Sequence, residues 1–406
     1  MNLTAFIAKR ITFNSKRTFS KLSVRIAVLG IMLSLSVMIL AVAVVKGFKS
    51  EIREKMRGFS GDIILMKYDL NSSLENSPFI LNQDTLKIVQ KLGEVQHIQP
   101  YATKPGIINT GNEIEGVLLK GVDKTFNWEF FKKVLVKGSV INFTDSLESK
   151  KQILISQAIA NRLNLDVGDD FLMYFVQETP RKRKFKVVGI YNLGVEDVDK
   201  TYVIGDLSII KRLNSWQGDE VGGYEIRVKD FNELEATSAK ISDNINFKLR
   251  SFTITQWYQT IFMWLSLLDV NTQVILILMM AVAVINMISA LLIIILERTS
   301  MIGILKALGC SDWGIQKIFL TNAAYLIGLG LLFGNILGIG LGYLQAYTHF
   351  FKLDQASYYM SFVPVQLEWQ DIALLNAGTL LVCLLVLIIP SMLVTRISPV
   401  KAIAFK

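Results

Sequence analysis

Four uncharged apolar runs decide what this chain can become. Residues 26–45, 270–296, 318–347 and 372–395 contain no Asp, Glu, Lys or Arg. A helix crossing a hydrocarbon core of about 30 Å needs roughly 20 apolar residues, and each run reaches that length. The chain of 406 residues is 51% hydrophobic and only 19% charged, too apolar for an ordinary soluble protein. The fold class read from this is an α-helical membrane protein with four transmembrane helices plus a large extracytoplasmic α+β domain, residues 58–256, between the first two.

The net charge of +9 would suit a nucleic-acid binder, but its distribution excludes one. The N-terminal 25 residues carry Lys9, Arg10, Lys16, Arg17, Lys21 and Arg25 with no acid. The loop at 297–317 has three basic and two acidic residues, and the tail adds Arg396, Lys401 and Lys406. Residues 348–371 hold one Lys against three acids. The surplus lies on one side of the membrane, as the positive-inside rule requires. The cytoplasmic parts are then 1–25, 297–313 and 396–406, with the large domain and the 348–371 loop outside.

The first run has a basic segment before it and an Ala41-Val42-Ala43 cleavage-like motif within it. Its length makes it a retained anchor. Phe48, Ile52 and Met56 continue the helical period outward as a stalk, with Gly58 as its stop, so the first helix and stalk cover 26–57. Residues 257–296 form a second stalk and span; Trp257, Tyr258 and Trp264 suit an interfacial belt equally well. In the outer domain short strands alternate with helices. Residues 113–192 are strand-rich and read as an inserted subdomain. Cys310 and Cys383 lie outside that domain, so no disulfide supports it.

Pro180, Arg181, Lys182, Arg183 and Lys184 separate two strand-like runs and read as a basic hairpin tip. It is either a solvated turn or a docking finger for an acidic partner or membrane lipids. In the third span, 314–347, Gly330, Gly334, Gly338 and Gly342 recur every four residues, thickened by Gly328 and Gly340. That spacing sets four glycines on one helix face for close helix–helix contact, within or between subunits. Asn286, Asn335 and Asn376 place an amide in each of the last three spans, for a polar path or for interhelical bonding. Pro390 suggests a kink in the fourth span, 372–395.

Chemistry is scarce. No P-loop is present: Gly116 to Gly121 is followed by Val122-Asp123 where Lys and Ser/Thr belong. His97 and His349 are isolated, and no HExxH, CxxC or GxSxG occurs. No catalytic residue, metal or bound cofactor is expected on this chain. Yet the loop after the second span, Glu297 to Gly309, is unusual. Met301, Ile304, Leu305 and Leu308 fall at helical spacing, Lys306 sits in the last turn, and Gly309 sits at the cap position. This apolar stripe needs burial by a partner protein, the membrane surface or the chain itself.

The stretch 297–311, ERTSMIGILKALGCS, resembles the signature of FtsX/MacB-like ABC permeases, most closely the lipoprotein-releasing (LolC/LolE-type) ones. The stalk AVAVVKGFKSEIREKMRGFSG, the Lys120-Gly121-Val122-Asp123 motif, residues 153–169 and the ending Arg396-Ile397-Ser398-Pro399 are similar too. The resemblance implies a porter-like outer domain with a β-rich insertion. It also implies a coupling helix that lies in a groove of an ABC ATPase dimer, which holds the ATP and Mg²⁺. Glu297, Arg298, Ile302, Gly303, Ile304, Leu305, Lys306, Ala307 and Gly309 match that motif. A second permease copy or paralogue, a lipoprotein substrate and a periplasmic lipoprotein carrier, met by a hairpin near Pro180–Lys184, are implied partners. The implied work is extraction of lipoproteins from the bacterial inner membrane. A MacB-like efflux permease and an FtsX-like signalling protein controlling cell-wall hydrolases are the alternatives. Leu305→Asp is expected to abolish ATPase association.

Overall fold

The structure, a computed structural model, describes residues 18–69, 74–111, 113–175, 177 and 180–396. The basic N-terminal segment before residue 18 and the ending after Arg396 lie outside the described residues. The chain divides into two compact units. One takes the chain up to residue 49 with 264–352 and 362 onward; the other takes 50–263 with 353–361.

The first unit is built on helices long and apolar enough to cross a membrane: Thr18–Ser60, Gln259–Glu297, Asp312–Thr348, and Trp369–Ser391 with a 3₁₀ turn to Arg396. Their inward faces pack Ile31, Leu35, Leu291, Phe319, Leu326 and Leu387 together. Outward faces stay apolar, with Ile277, Ile285 and Ile336 exposed. Lipid can cover such faces without a protein partner. Pro390 sits one residue before the end of the fourth helix, where it ends the α-helix rather than bending its middle. At the outer ends, Lys46 Nζ lies 2.7 Å from both Glu368 and Asp371, and Lys49 Nζ lies 2.6 Å from Asp269.

The first helix does not stop at Gly58. It continues to Ser60, and Gly61, at φ +71°, turns the chain while its N–H bonds to Arg57 O at 2.9 Å. Gly58 instead makes room for the Phe130 ring, which a Cβ there would strike.

In the second unit the strands are β1 (Ile63–Lys67), β2 (Val95–Asn109), β3 (Ile114–Val122), β4 (Leu135–Gly138), β5 (Gln152–Ser156), β6 (Asp170–Phe175), β7 (Arg181–Tyr191), β8 (Tyr202–Asp206), β9 (Gly223–Val228) and β10 (Leu249–Thr253). They join in the order β10-β1-β9-β2-β3-β8-β5-β7-β4, and β6 pairs with both β2 and β7. Strands β2, β3, β8, β5, β7 and β6 therefore close into a ring. The strand-rich stretch 113–192 closes only with β2 and β8 supplied from outside it. β3–β8 and β5–β7 are parallel pairs, so a long crossover separates each strand from its partner in the chain. Helix Gln157–Leu163, capped by Ser156, and helix Leu207–Leu213, capped by Asp206, follow β5 and β8 directly.

The basic hairpin tip is corrected. Arg181 to Lys184 belong to β7 and pair with Phe175 to Leu172 of β6, and Lys184 Nζ lies 2.9 Å from Asp170. Arg181, Lys182 and Lys184 are exposed and Arg183 is half-buried, so the cations stand on a strand rather than on a turn. Pro180 precedes the strand; Val176, Glu178 and Thr179 lie outside the described residues.

Candidate functional site

The second span helix ends at Glu297, and Arg298, at φ −108° and ψ 18°, breaks it. A separate helix, Thr299–Ala307, follows. Its end is fixed by two bonds: Gly309 N–H to Lys306 O and Cys310 N–H to Leu305 O, both 3.0 Å. This is a Schellman ending, and it requires the left-handed backbone of Gly309, at φ +86°. Ser311 then accepts from Gly314 N–H at 3.2 Å and caps the third span. Lys306 Nζ reaches Asp312 at 2.8 Å and donates to Thr395 O at 3.1 Å, so one lysine ties the short helix to the start of the third span and the end of the fourth.

The apolar stripe splits in two. Ile302 and Gly303 are buried, and Ile302 joins the core of the spans, with Met301 and Leu305 partly buried against it. Ile304 and Leu308 point away and are 52% and 77% exposed. Residues three or four apart share a helix face, so Ile302 and Leu305 lie on one side and Ile304, Ala307 and Leu308 on another. A helix lying across the ends of the spans thus gives Ile302 and Leu305 to its own chain. It keeps Ile304, Ala307 and Leu308 free for something else. Leu305 is therefore a poor choice for testing a partner contact. Sequence periodicity also missed Trp313, 61% exposed at the first turn of the third span.

The glycine series packs within the subunit. A Cβ on Gly330 would lie 2.6 Å from Ile31 Cβ, one on Gly334 3.0 Å from Leu35 Cβ, and one on Gly338 3.1 Å from Ser36 Cα. The fourth, Gly342, meets Leu367 instead, at 3.1 Å. Gly328 and Gly340 would meet nothing within 4 Å, so they do not thicken this seam. Four glycines cost about 0.5–1 kcal/mol each in helix propensity, and close backbone approach offsets that cost. Asn335 and Asn376 bond to each other, and Asn286 sits over Gly30. These amides pack helix against helix.

Among the described residues no group of three or more His, Cys, Asp or Glu is placed to hold a metal. Residues 26–244, more than half of the chain, match the model of the MacB-like periplasmic core domain, and residues 273–399 match that of the FtsX-like permease C-terminal. The chain belongs to the FtsX/MacB-like permease family. It is 23% identical, over 100% of both chains, to the lipoprotein-releasing system transmembrane protein LolC of Neisseria meningitidis serogroup B. Identity is 21%, again over 100% of both, to the lipoprotein-releasing system transmembrane protein LolE of Haemophilus influenzae. The solved periplasmic region of MacB from Actinobacillus actinomycetemcomitans aligns with 52% of this chain and 97% of its own, at 16% identity and a TM-score of 0.35. As a member of the FtsX/MacB-like family, the chain is an ABC permease subunit of the inner membrane with its large domain in the periplasm.

Proposed function

We propose that this chain is the permease subunit of a lipoprotein-releasing ABC transporter and that it carries no ATPase of its own. A separate ATPase dimer holds ATP and Mg²⁺ and docks on the helix Thr299–Ala307. The exposure of Ile304 and Leu308 on a helix otherwise tied to its own spans is the observation that carries this reading. Among the described residues nothing covers Ile304 and Leu308, and an exposed apolar patch on a helix suits a groove in a partner. Lipoprotein as the cargo is supported by the full-length likeness to proteins named for lipoprotein release. A second permease, identical or paralogous, completes the transporter. The periplasmic lipoprotein carrier meets the outer domain at the β6–β7 pair, where Arg181 to Lys184 set four cations in succession.

The mechanism follows from continuity of helices. Closure of the ATPase dimer shifts the short helix, Lys306 passes the shift to the third and fourth spans, and the glycine seam passes it to the first. Purification of the chain from its native membrane, with mass spectrometry of what accompanies it, tests the class. An ATPase together with acylated lipoprotein is the expected result. A cell-wall hydrolase in place of the lipoprotein would turn the reading to signalling.

A further inference from the structure

The last turn of the first long helix ends on a buried charge. Lys120, in β3, is 2% exposed, and its ammonium donates to the carbonyl of Phe59, the penultimate residue of that helix. The same ammonium lies 2.5 Å from Glu225 Oε1 in β9, itself 3% exposed, and 4.3 Å from the centre of the Phe59 ring. Glu225 Oε2 accepts from Gln99 Nε2 in β2 at 3.0 Å. Three strands thus converge through one ion pair on the negative end of a helix dipole. Cavities of about 440 Å³ and 380 Å³ flank this point, one lined by Phe59, Tyr101, Tyr202 and Tyr258, the other by Gly58, Arg57 and Arg227. Glu225 lines both.

Such a pair is a costly way to hold a helix in place. Removing a lysine and a glutamate from water loses hydration that their attraction barely returns, and apolar replacements are often at least as stable. Burial holds the Lys120 ammonium below its ordinary pKa, against the pull of Glu225. What the pair does supply is direction, since hydrogen bonds fix the angle and register of the helix end where apolar packing beside two cavities would let it slide. The helix that ends at this pair runs without a break from Thr18 to Ser60.

We propose that Lys120 and Glu225 are positioning residues of the transport cycle: they lock the end of the first helix to the central sheet so that its motion is passed on rather than dissipated. This rests on the function proposed above. The ring centres of Tyr101 and Phe126 stand 5.8 Å from the ammonium, and both members of the pair are buried.

The test uses the whole permease–ATPase complex in proteoliposomes. The Lys120→Met/Glu225→Gln double variant removes both charges and leaves Gln99 an acceptor. We expect an unfolding temperature near the wild type's and unchanged ATPase turnover. Lipoprotein released per ATP should fall about fivefold or more, the scale of a typical coupling between sites. Lys120→Arg, which keeps the cation, should recover part of the loss. Release per ATP equal to wild type in a folded double variant overturns the proposal. Should the double variant not fold, Lys120→Leu/Glu225→Met, an apolar replacement that also cuts the bond to Phe59, is read in the same way. A wild-type complex that hydrolyses ATP and releases nothing refutes the release function, not the lock. The lock is then read from hydrogen exchange: ATP should alter protection of β3 and β9 in the wild type and not in the double variant, and an equal change in both overturns it.

Discussion

Asn335 and Asn376 exchange both of their side-chain hydrogen bonds, at 2.7 and 2.9 Å, between the third and fourth spans. Each amide also donates back to a carbonyl one turn earlier in its own helix, Leu331 and Ile372. Asn376→Leu leaves Asn335 without its partner and should cost about 1 kcal/mol, the scale of interhelical bonds in membranes. The Asn335→Leu/Asn376→Leu double variant should be more stable than the sum of the single losses. A double-mutant cycle on unfolding in detergent measures the difference.

The glycine seam makes a sharper distinction than spacing alone. Gly330→Val puts side-chain atoms where Ile31 already is and should destabilise by about 1–3 kcal/mol, as overpacking does. Gly328→Ala and Gly340→Ala meet nothing and should be neutral or slightly stabilising, because alanine is the better helix former. Thermal unfolding of the three variants separates the two kinds of glycine.

Gly309 is the third test of backbone need. Alanine at its φ of +86° should cost about 1 kcal/mol and loosen the Schellman ending. Faster hydrogen exchange at Gly309 and Cys310 is the measurement, since their N–H groups make the two capping bonds.

Asp199 gives a pH dependence. Burial raises its carboxyl above the ordinary range, against the N–H groups of Leu193 and Gly194 that favour the ionised form. The folded protein therefore keeps this proton to a higher pH than the unfolded chain does. The stabilisation is fully present below the ordinary value near 3.8 and is lost as pH rises through the raised one. Asp199→Asn cannot ionise, so its unfolding temperature should fall less than the wild type's as pH rises above that ordinary value.

Much of this architecture was legible because the signals were periodic. Four uncharged runs gave four helices, and the i, i+4 glycines gave a seam. What escaped depended on contacts distant in the chain. Pro100 and Pro105 look like strand breakers in the sequence, yet both sit in β2, paired with β9 and β3. Ring closure through β6 needs its pairing with β2, more than sixty residues back in the chain. Four cations in succession made Arg181 to Lys184 look like a turn. Lys120 appeared only as part of a motif, since nothing in Lys-Gly-Val-Asp says that the lysine is buried. At the candidate site, the helix and its cap were readable, whereas the division of its stripe was not. Periodicity shows that apolar residues share a helix, and only the neighbouring spans determine that Ile302 turns inward and Leu308 outward.

The proposed function depends on an ATPase docking on the outward face of the helix Thr299–Ala307. Leu308→Asp tests it most directly, because Leu308 is 77% exposed and its loss takes nothing from the span core. Co-purification of the ATPase with this variant, normalised to permease recovered and checked by an unchanged unfolding temperature, is the measurement. The account predicts that association is lost while the folded permease remains in the membrane. ATPase recovered at the wild-type level with Leu308→Asp would contradict it.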